Sequence, residues 1–267
     1  MPAKSVVIIP ARYGATRFPG KPLCIVAGKP LIQHVWERCC RARRVDRVII
    51  ATDDERIARC ASAFGAEVSM TSERHPSGTD RCAEVARRLR GFTHIINVQG
   101  DEPLIDPKLI SRLIDTMRAD PAVEMVTAAM QVETEDDVQN PNVVKVVTDA
   151  RRNALYFSRA PIPYPRAERR YSTISDRRYS ATVTDRRYSE AQRIVHLRHV
   201  GIYGYGIRFL LRFVKWKRGR LEQLEQLEQL RALENGAKVR VVMAKSAGIG
   251  VDAPEDVPAV ERLLTAR

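Results

Sequence analysis

Four short stretches of the chain gather residue types suited to holding a phosphate-rich anion. From Pro10 to Leu23 the sequence reads PARYGATRFPGKPL, which sets Arg12, Arg17 and Lys21 beside Gly14 and Gly20. Small residues let backbone N–H groups close on an anion, and fixed cations neutralise it. The pattern is neither a Walker A sequence nor G-x-G-x-x-G, and a basic surface loop would use the same residues. QGDEP (Gln99–Pro103) follows an apolar run, so Asp101 emerges at a strand end. A carboxylate there suits Mg²⁺, which takes one or two carboxylates with phosphate oxygens and water; a turn cap before Pro103 would look alike. GVDAPED (Gly250–Asp256) offers Asp252 as a second carboxylate, although its place before Pro254 also fits a helix N-cap. In HPSGTDR (His75–Arg81), Ser77, Gly78 and Thr79 either present hydroxyl and backbone groups to a base or phosphate, or cap the helix that follows.

Two other features are less specific. LEQLEQLEQL (Leu221–Leu230) places leucines three apart, so each step falls about 60° short of a full turn and the stripe winds round the helix with Glu222, Glu225 and Glu228. This reads as an amphipathic helix with a solvated acidic face. His199 alternates with apolar residues on a predicted strand, the usual setting of a structural histidine.

The elements that must position these residues follow from hydrophobic periodicity. VVIIP (Val6–Pro10) reads as a strand buried on both faces. Leu31, Ile32, Val35 and Trp36 recur at helical spacing, and that helix ends among Arg41, Arg43 and Arg44. A strand at Arg47–Thr52 leads to a helix capped by Asp53 and ended by Gly65. Glu67–Met70 and His94–Val98 are further strands, with a helix over about Thr79–Leu89 between them. Strands are also predicted at Met125–Met130, Val143–Thr148, Ala154–Phe157, His199–Tyr205 and Val239–Met243. One helix is expected over Leu221–Glu234 and another after Pro254. Such alternation predicts an α/β fold with a mostly parallel sheet between helices and a ligand site at the strand C-terminal edge.

Composition narrows the function classes. The 267 residues carry 45 Lys+Arg against 32 Asp+Glu, a formal charge of +13 that favours anionic partners. No apolar run approaches the ~20 residues of a membrane-spanning helix. The N-terminal run lacks a small-residue cleavage site and reads as a first strand, not a signal peptide. Five cysteines without C-x-x-C spacing indicate reduced thiols, with neither a disulfide framework nor a zinc knuckle. RRYS recurs at Arg169, Arg177 and Arg186, and residues 169–189 hold six Arg and two Asp. With little apolar content, about 165–195 is expected to be an exposed basic excursion. The rest of the chain still carries +9, so the basic character does not reside there alone.

Nine stretches in order, among them PARYGATRFPGKPL, VIIATDDERI, HPSGTDR, NVQGDEP, NPNVVKVV, ALYFSRAPIP, LRHVGIYGY and GVDAPED, give the chain its resemblance to the 3-deoxy-manno-octulosonate cytidylyltransferases. The likeness runs from Val6 to about Pro163 and from Leu197 to about Leu263. It implies a single nucleotide-diphospho-sugar transferase-like domain over 1–267 with an irregular β-rich insertion. It further implies a cytoplasmic homodimer that couples CTP to 3-deoxy-manno-octulosonate (Kdo) for lipopolysaccharide synthesis, releasing pyrophosphate. On the same likeness, Arg12 and Lys21 match the triphosphate positions; Ser77, Gly78 and Arg81 match the cytidine side. Asp101 and Asp252 match the Mg²⁺ carboxylates, making Arg12, Lys21, Asp101 and Asp252 the catalytic set. Gln99, Arg159, His199, Tyr203, Glu222 and Glu225 match the sugar-acid pocket, with Arg159 a natural partner for the substrate carboxylate.

Two stretches depart from the family pattern: the long basic connector after Ala160, and Gly219-Arg220 where Ser-Pro usually precedes the LEQ helix. The competing readings are a cytidylyltransferase for 8-amino-Kdo or sialic acid, and a nucleic-acid-binding protein using the paired Arg and interleaved Tyr of 169–189. The expectation is no nucleic acid partner, with peripheral contact to an anionic surface open through that segment.

Overall fold

The computed structural model describes residues 3–14, 18–165, 196–246 and 248–266. The basic RRYS excursion and Arg17 lie outside the described residues. Strand β1 (Lys4–Ala11) shows why the apolar run matters. Val7 and Ile9 face one core with helix α1 (Leu31–Cys40), while Val6 and Ile8 face a second core on the opposite side. Both sets are fully buried, as in a strand covered on two faces.

A short hairpin, β2 (Ile25–Val26) and β3 (Lys29–Pro30), precedes α1. The chain then alternates through β4 (Arg47–Thr52), α2 (Glu55–Ala63), β5 (Glu67–Met70), α3 (Gly78–Arg88), β6 (Phe92–Asn97), α4 (Pro107–Ala119) and β7 (Met125–Gln131). After α5 (Glu135–Gln139) come β8 (Lys145–Thr148), β9 (Ala154–Ser158) and β10 (Leu197–Gly206). The remainder is α6 (Ile207–Phe213), α7 (Arg220–Glu225), α8 (Leu230–Glu234), β11 (Val239–Met243) and α9 (Val257–Thr265). The main sheet runs β11-β7-β10-β6-β1-β4-β5, with β8 and β9 attached through β10. Neighbours are parallel except around β10, which is antiparallel to both β6 and β7, and in the β8–β9 pair. The expected mostly parallel sheet is present, and β10 is the wedge that brings the second half of the chain against the first. Helices α1, α2 and α4 cover one face, and α3, α6 and α8 the other.

Three local expectations change. Asp54, not Asp53, caps α2, accepting from the Arg56 and Ile57 amides, which leaves Asp53 for a partner elsewhere. The single LEQ helix is two short helices, because Gln226 takes a left-handed conformation at φ 53°. Three-residue spacing cannot keep all four leucines on one face; the break buries Leu227 and Leu230 and leaves Leu224 70% exposed. Asp252 is not a helix cap, since its own amide and that of Ala253 donate to Asp256 Oδ2 at 2.7 and 2.8 Å.

The Gly219-Arg220 departure has a structural answer. The Glu234 carboxylate accepts from the Leu221 and Glu222 amides at 2.9 and 3.3 Å, capping α7 from across the turn. A Cβ on Gly219 would lie 2.0 Å from Glu234 Oε2, so the glycine makes room for this replacement cap.

Candidate active site

β1, β4 and β6 are parallel and end at one edge of the sheet, where their loops meet the N-terminus of α3 and the 250–256 loop. Between them lies a cleft of about 470 Å³. Arg12, Lys21, Ser77, Gly78, Arg81, Gln99, Asp101 and Asp252 all line it, as do His75 and Gly100. A Cβ on Gly100 would approach the Pro10 carbonyl oxygen to 3.0 Å, and one on Gly78 would meet the Pro10 ring at 3.0 Å. These close approaches let the two strand-end loops and α3 share one wall.

Lys21 is the centre of the charged end. It opens a single 3-10 turn, Lys21–Leu23, after Gly20, whose φ of 73° folds the loop back so that its amide donates to the Tyr13 carbonyl. Its ammonium donates to Asp101 Oδ2 at 2.6 Å and the Val251 carbonyl at 2.9 Å, and lies 3.9 Å from Asp252 Oδ1. The Val251 amide donates to the Asp101 carbonyl at 2.9 Å, so residues 150 positions apart are locked backbone to backbone. This linkage brings Asp252 to Asp101, which sequence separation alone could not do. Arg12 stands exposed at the rim. Glu102, which sequence reasoning did not single out, is pushed up to about 8 by burial first and then by the charges of Asp101 and Asp252.

Around α3 the chemistry is one of fixed partners. Ser77 caps the helix, accepting from the Asp80 amide at 3.2 Å, so the capping reading holds while Ser77 still faces the cleft. Arg81 is 3% exposed and donates to Asp53 Oδ2 at 2.9 Å and Thr71 Oγ1 at 2.5 Å. That pair gives Asp53 its role. His75 Nε2 bonds Glu84 Oε2 at 2.5 Å, and Glu84 is held below the usual carboxylate range by the Ser72 amide, His75 and Arg88, against its own desolvation.

The residues matched to the sugar-acid side divide. Gln99 is in the cleft, its amide donating to Asn97 Oδ1 at 3.1 Å. Tyr203 pairs in register with Asn97 and donates to Gln229 Oε1 at 3.1 Å. His199 shares a 2.8 Å hydrogen bond with Thr127 Oγ1 and packs 5.1 Å from the Phe157 ring and 5.4 Å from that of Tyr203. Burial drives its pKa down to about 3, so the ring is neutral at pH 7. Glu225 accepts from Ser158 Oγ at 2.7 Å and the Arg159 amide at 2.9 Å. Arg159 in turn donates to the carbonyls of Glu225 and Pro141 at 2.8 and 2.9 Å. None of Arg159, His199, Tyr203, Glu222 and Glu225 lines the 470 Å³ cleft itself.

Glu222 is buried in a two-pronged pair with Arg231, at 2.7 and 2.6 Å. It ties α7 to α8 and is not among the residues lining the cleft. The LEQ glutamate that reaches the cleft wall is Glu228, which accepts from Ser77 Oγ at 3.0 Å and Thr79 Oγ1 at 2.5 Å. Burial raises its pKa. In the sequence the three LEQ glutamates are equivalent; only the break at Gln226 distinguishes them.

A two-faced α/β sheet with basic, acidic and hydroxyl groups gathered at strand ends suits a phosphorylated ligand, and comparison with known proteins makes the class a nucleotidyltransferase. The sequence profile described as "Cytidylyltransferase" matches residues 6–240. The 3-deoxy-manno-octulosonate cytidylyltransferase of Geobacter sulfurreducens is 48% identical over 253 residues, covering 95% of this chain and 96% of that protein. That of Thermodesulfovibrio yellowstonii is 45% identical over 267 residues, covering 97% and 98%. Among solved structures, CMP:2-keto-3-deoxy-manno-octonic acid synthetase complexed with CTP superposes with a TM-score of 0.87 at 39% identity, covering 99% of both chains. The chain belongs to the 3-deoxy-manno-octulosonate cytidylyltransferase family.

Proposed function

We infer that this enzyme transfers the cytidylyl group of CTP to Kdo, forming CMP-Kdo and pyrophosphate as a supply for lipopolysaccharide synthesis. The observation that carries the mechanism is the convergence of Asp101 and Asp252 on the Lys21 ammonium at the edge of the cleft. Two carboxylates meeting at one cationic point, beside room for phosphate oxygens, are a donor set that fits Mg²⁺. Asp101 and Asp252 would hold that ion, whose chemistry when bound is to polarise phosphate oxygens.

The reaction is an in-line displacement. The anomeric hydroxyl of the sugar acid attacks the α-phosphorus and gives its proton to solvent, the new P–O bond forms, and the bond to the leaving pyrophosphate breaks. Positioning and charge neutralisation are the main requirements. Lys21 and Arg12 stabilise negative charge on the departing pyrophosphate. Ser77, Gly78 and Arg81 border the cytidine, with Arg81 fixed by Asp53. Gln99 reaches toward the sugar acid from the cleft. Tyr203, His199, Arg159 and Glu225 shape the adjoining side. A neutral His199 orients by hydrogen bonding and shape and carries no charge.

We further propose a cytoplasmic homodimer, a reading that rests on the family likeness alone. Among the described residues no helix is long and apolar enough to cross a membrane. The test is pyrophosphate release from CTP and Mg²⁺ with Kdo, 8-amino-Kdo and sialic acid in parallel. Release with Kdo well above the other two is expected; preference for another acid would move the substrate, and no release with any would overturn the reading.

A further inference from the structure

Lys145 on β8 is 0% exposed, the most deeply buried cation among the described residues. The other two buried cations, Arg81 and Arg231, each touch a carboxylate. Lys145 has none within ion-pair distance among the described residues. Its ammonium instead donates to two main-chain carbonyls, Asn140 O at 2.9 Å and Arg159 O at 2.6 Å. A buried ammonium is costly unless bonded, so such a lysine persists where its bonds hold something in place. Desolvation and the nearby Arg159 charge both lower its pKa, while Glu225 opposes them.

What it holds is the backbone of Arg159. The Arg159 carbonyl is bound by Lys145, and its amide by Glu225 Oε2. With both peptide groups fixed, its side chain leaves β9 in one direction. The guanidinium then spans the Glu225 and Pro141 carbonyls through Nε and Nη1, leaving Nη2 without a partner among the described residues. The Asn140 carbonyl that Lys145 also binds precedes Pro141 directly, so one ammonium fixes both the base of Arg159 and one of the carbonyls its head rests on.

We propose that Lys145 is a positioning residue for the sugar-acid side of the site, setting the Arg159 guanidinium so that its Nη2 edge meets the substrate carboxylate. This rests on the functional reading above, taken with the family likeness that makes Arg159 the partner of that carboxylate. The test compares wild type with Lys145→Met, which matches the stem length and removes the ammonium, and with Lys145→Arg, which restores a cation and donors.

Two readouts separate the possibilities. In the substrate-free protein, amide hydrogen exchange in peptides spanning 156–160 should quicken about tenfold or more in Lys145→Met, with peptides from β1 and β6 unchanged. In steady state, KM for Kdo should rise about tenfold, as for loss of a well-set charged hydrogen bond, while KM for CTP stays within about twofold. Lys145→Arg should recover part of the Kdo effect. Unchanged exchange at 156–160, or equal weakening toward both substrates, would overturn the proposal. Should Lys145→Met not fold, Lys145→Gln, which keeps a donor, carries the same expectations at smaller size. If wild type were silent with Kdo, the functional reading would fall, and the exchange measurement would still decide whether Lys145 sets Arg159.

Discussion

The two ends of the site are built on opposite principles. At the proposed phosphate end, Arg12, Lys21, Asp101 and Asp252 project from loops at strand termini, and two distant carboxylates converge on one ammonium. At the proposed sugar-acid end, His199, Tyr203, Arg159 and Glu225 are bonded to neighbouring protein groups, and burial keeps the histidine neutral. Charge placed at loop tips serves a reaction that redistributes phosphate charge. A polyhydroxylated acid needs shape and fixed hydrogen-bond directions, and these come from side chains that restrain one another. Substitutions at the first end should therefore act on turnover, and those at the second on substrate KM and on stability.

The largest effect is expected at Lys21. Lys21→Met should lower kcat by about 10²–10³-fold, the scale of removing one preorganised charge-stabilising donor. Circular dichroism should remain native, because Lys21 lies in a single 3-10 turn and belongs to none of the hydrophobic cores; a tenfold loss or less would weaken the contrast between the two ends. Next in size is Arg81→Leu, which leaves Asp53 unpaired in a nearly buried site and should destabilise the fold by about 3–5 kcal/mol, read by urea denaturation.

The LEQ glutamates sharpen the comparison within one segment. Glu222→Gln breaks a buried pair with Arg231 and should lower stability by about 3 kcal/mol with both KM values unchanged. Glu228→Gln, beside Ser77 and Thr79, should instead change substrate KM several-fold with a smaller loss of stability. Reversed outcomes would mean that Glu222, not Glu228, reaches substrate.

His199 gives a smaller, pH-dependent effect. Its folded pKa of about 3 lies below its ordinary 6.5, so the unfolded chain binds the extra proton. Its contribution to stability is complete above pH 6.5 and is lost progressively as pH falls toward 3. His199→Phe should flatten that acid limb by up to about 1.4 kcal/mol per pH unit, seen in urea midpoints between pH 6.5 and 4.5. An unchanged slope would mean the imidazole is not held neutral.

Legibility follows the same division. The gathering of Arg12, Lys21, Ser77 and Asp101 at one cleft was readable because they lie in short contiguous stretches near strand ends, and the strands at Val6–Pro10, Arg47–Thr52 and His94–Val98 all appear close to where periodicity puts them. The Asp101–Asp252 convergence was not, since it depends on one backbone bond between Val251 and Asp101. Nor could the sequence foresee that β10 runs antiparallel between β6 and β7, because direction is set by tertiary packing and not by strand periodicity. The repeat LEQLEQLEQL hid its own break: a left-handed Gln226 has no local signature, and without it Glu222 and Glu228 cannot be told apart. The cap from Glu234 escaped notice for a similar reason, being a contact thirteen residues from the amide it serves.

The central claim is that Asp101 acts in catalysis at the point where Lys21 and Asp252 meet, and only secondarily in holding nucleotide. The direct measurement is Asp101→Asn with CTP affinity by calorimetry and pyrophosphate release with Kdo on the same preparation. The account predicts a fall in kcat of at least about 10²-fold with CTP binding retained within roughly tenfold. Full turnover in the variant would contradict it.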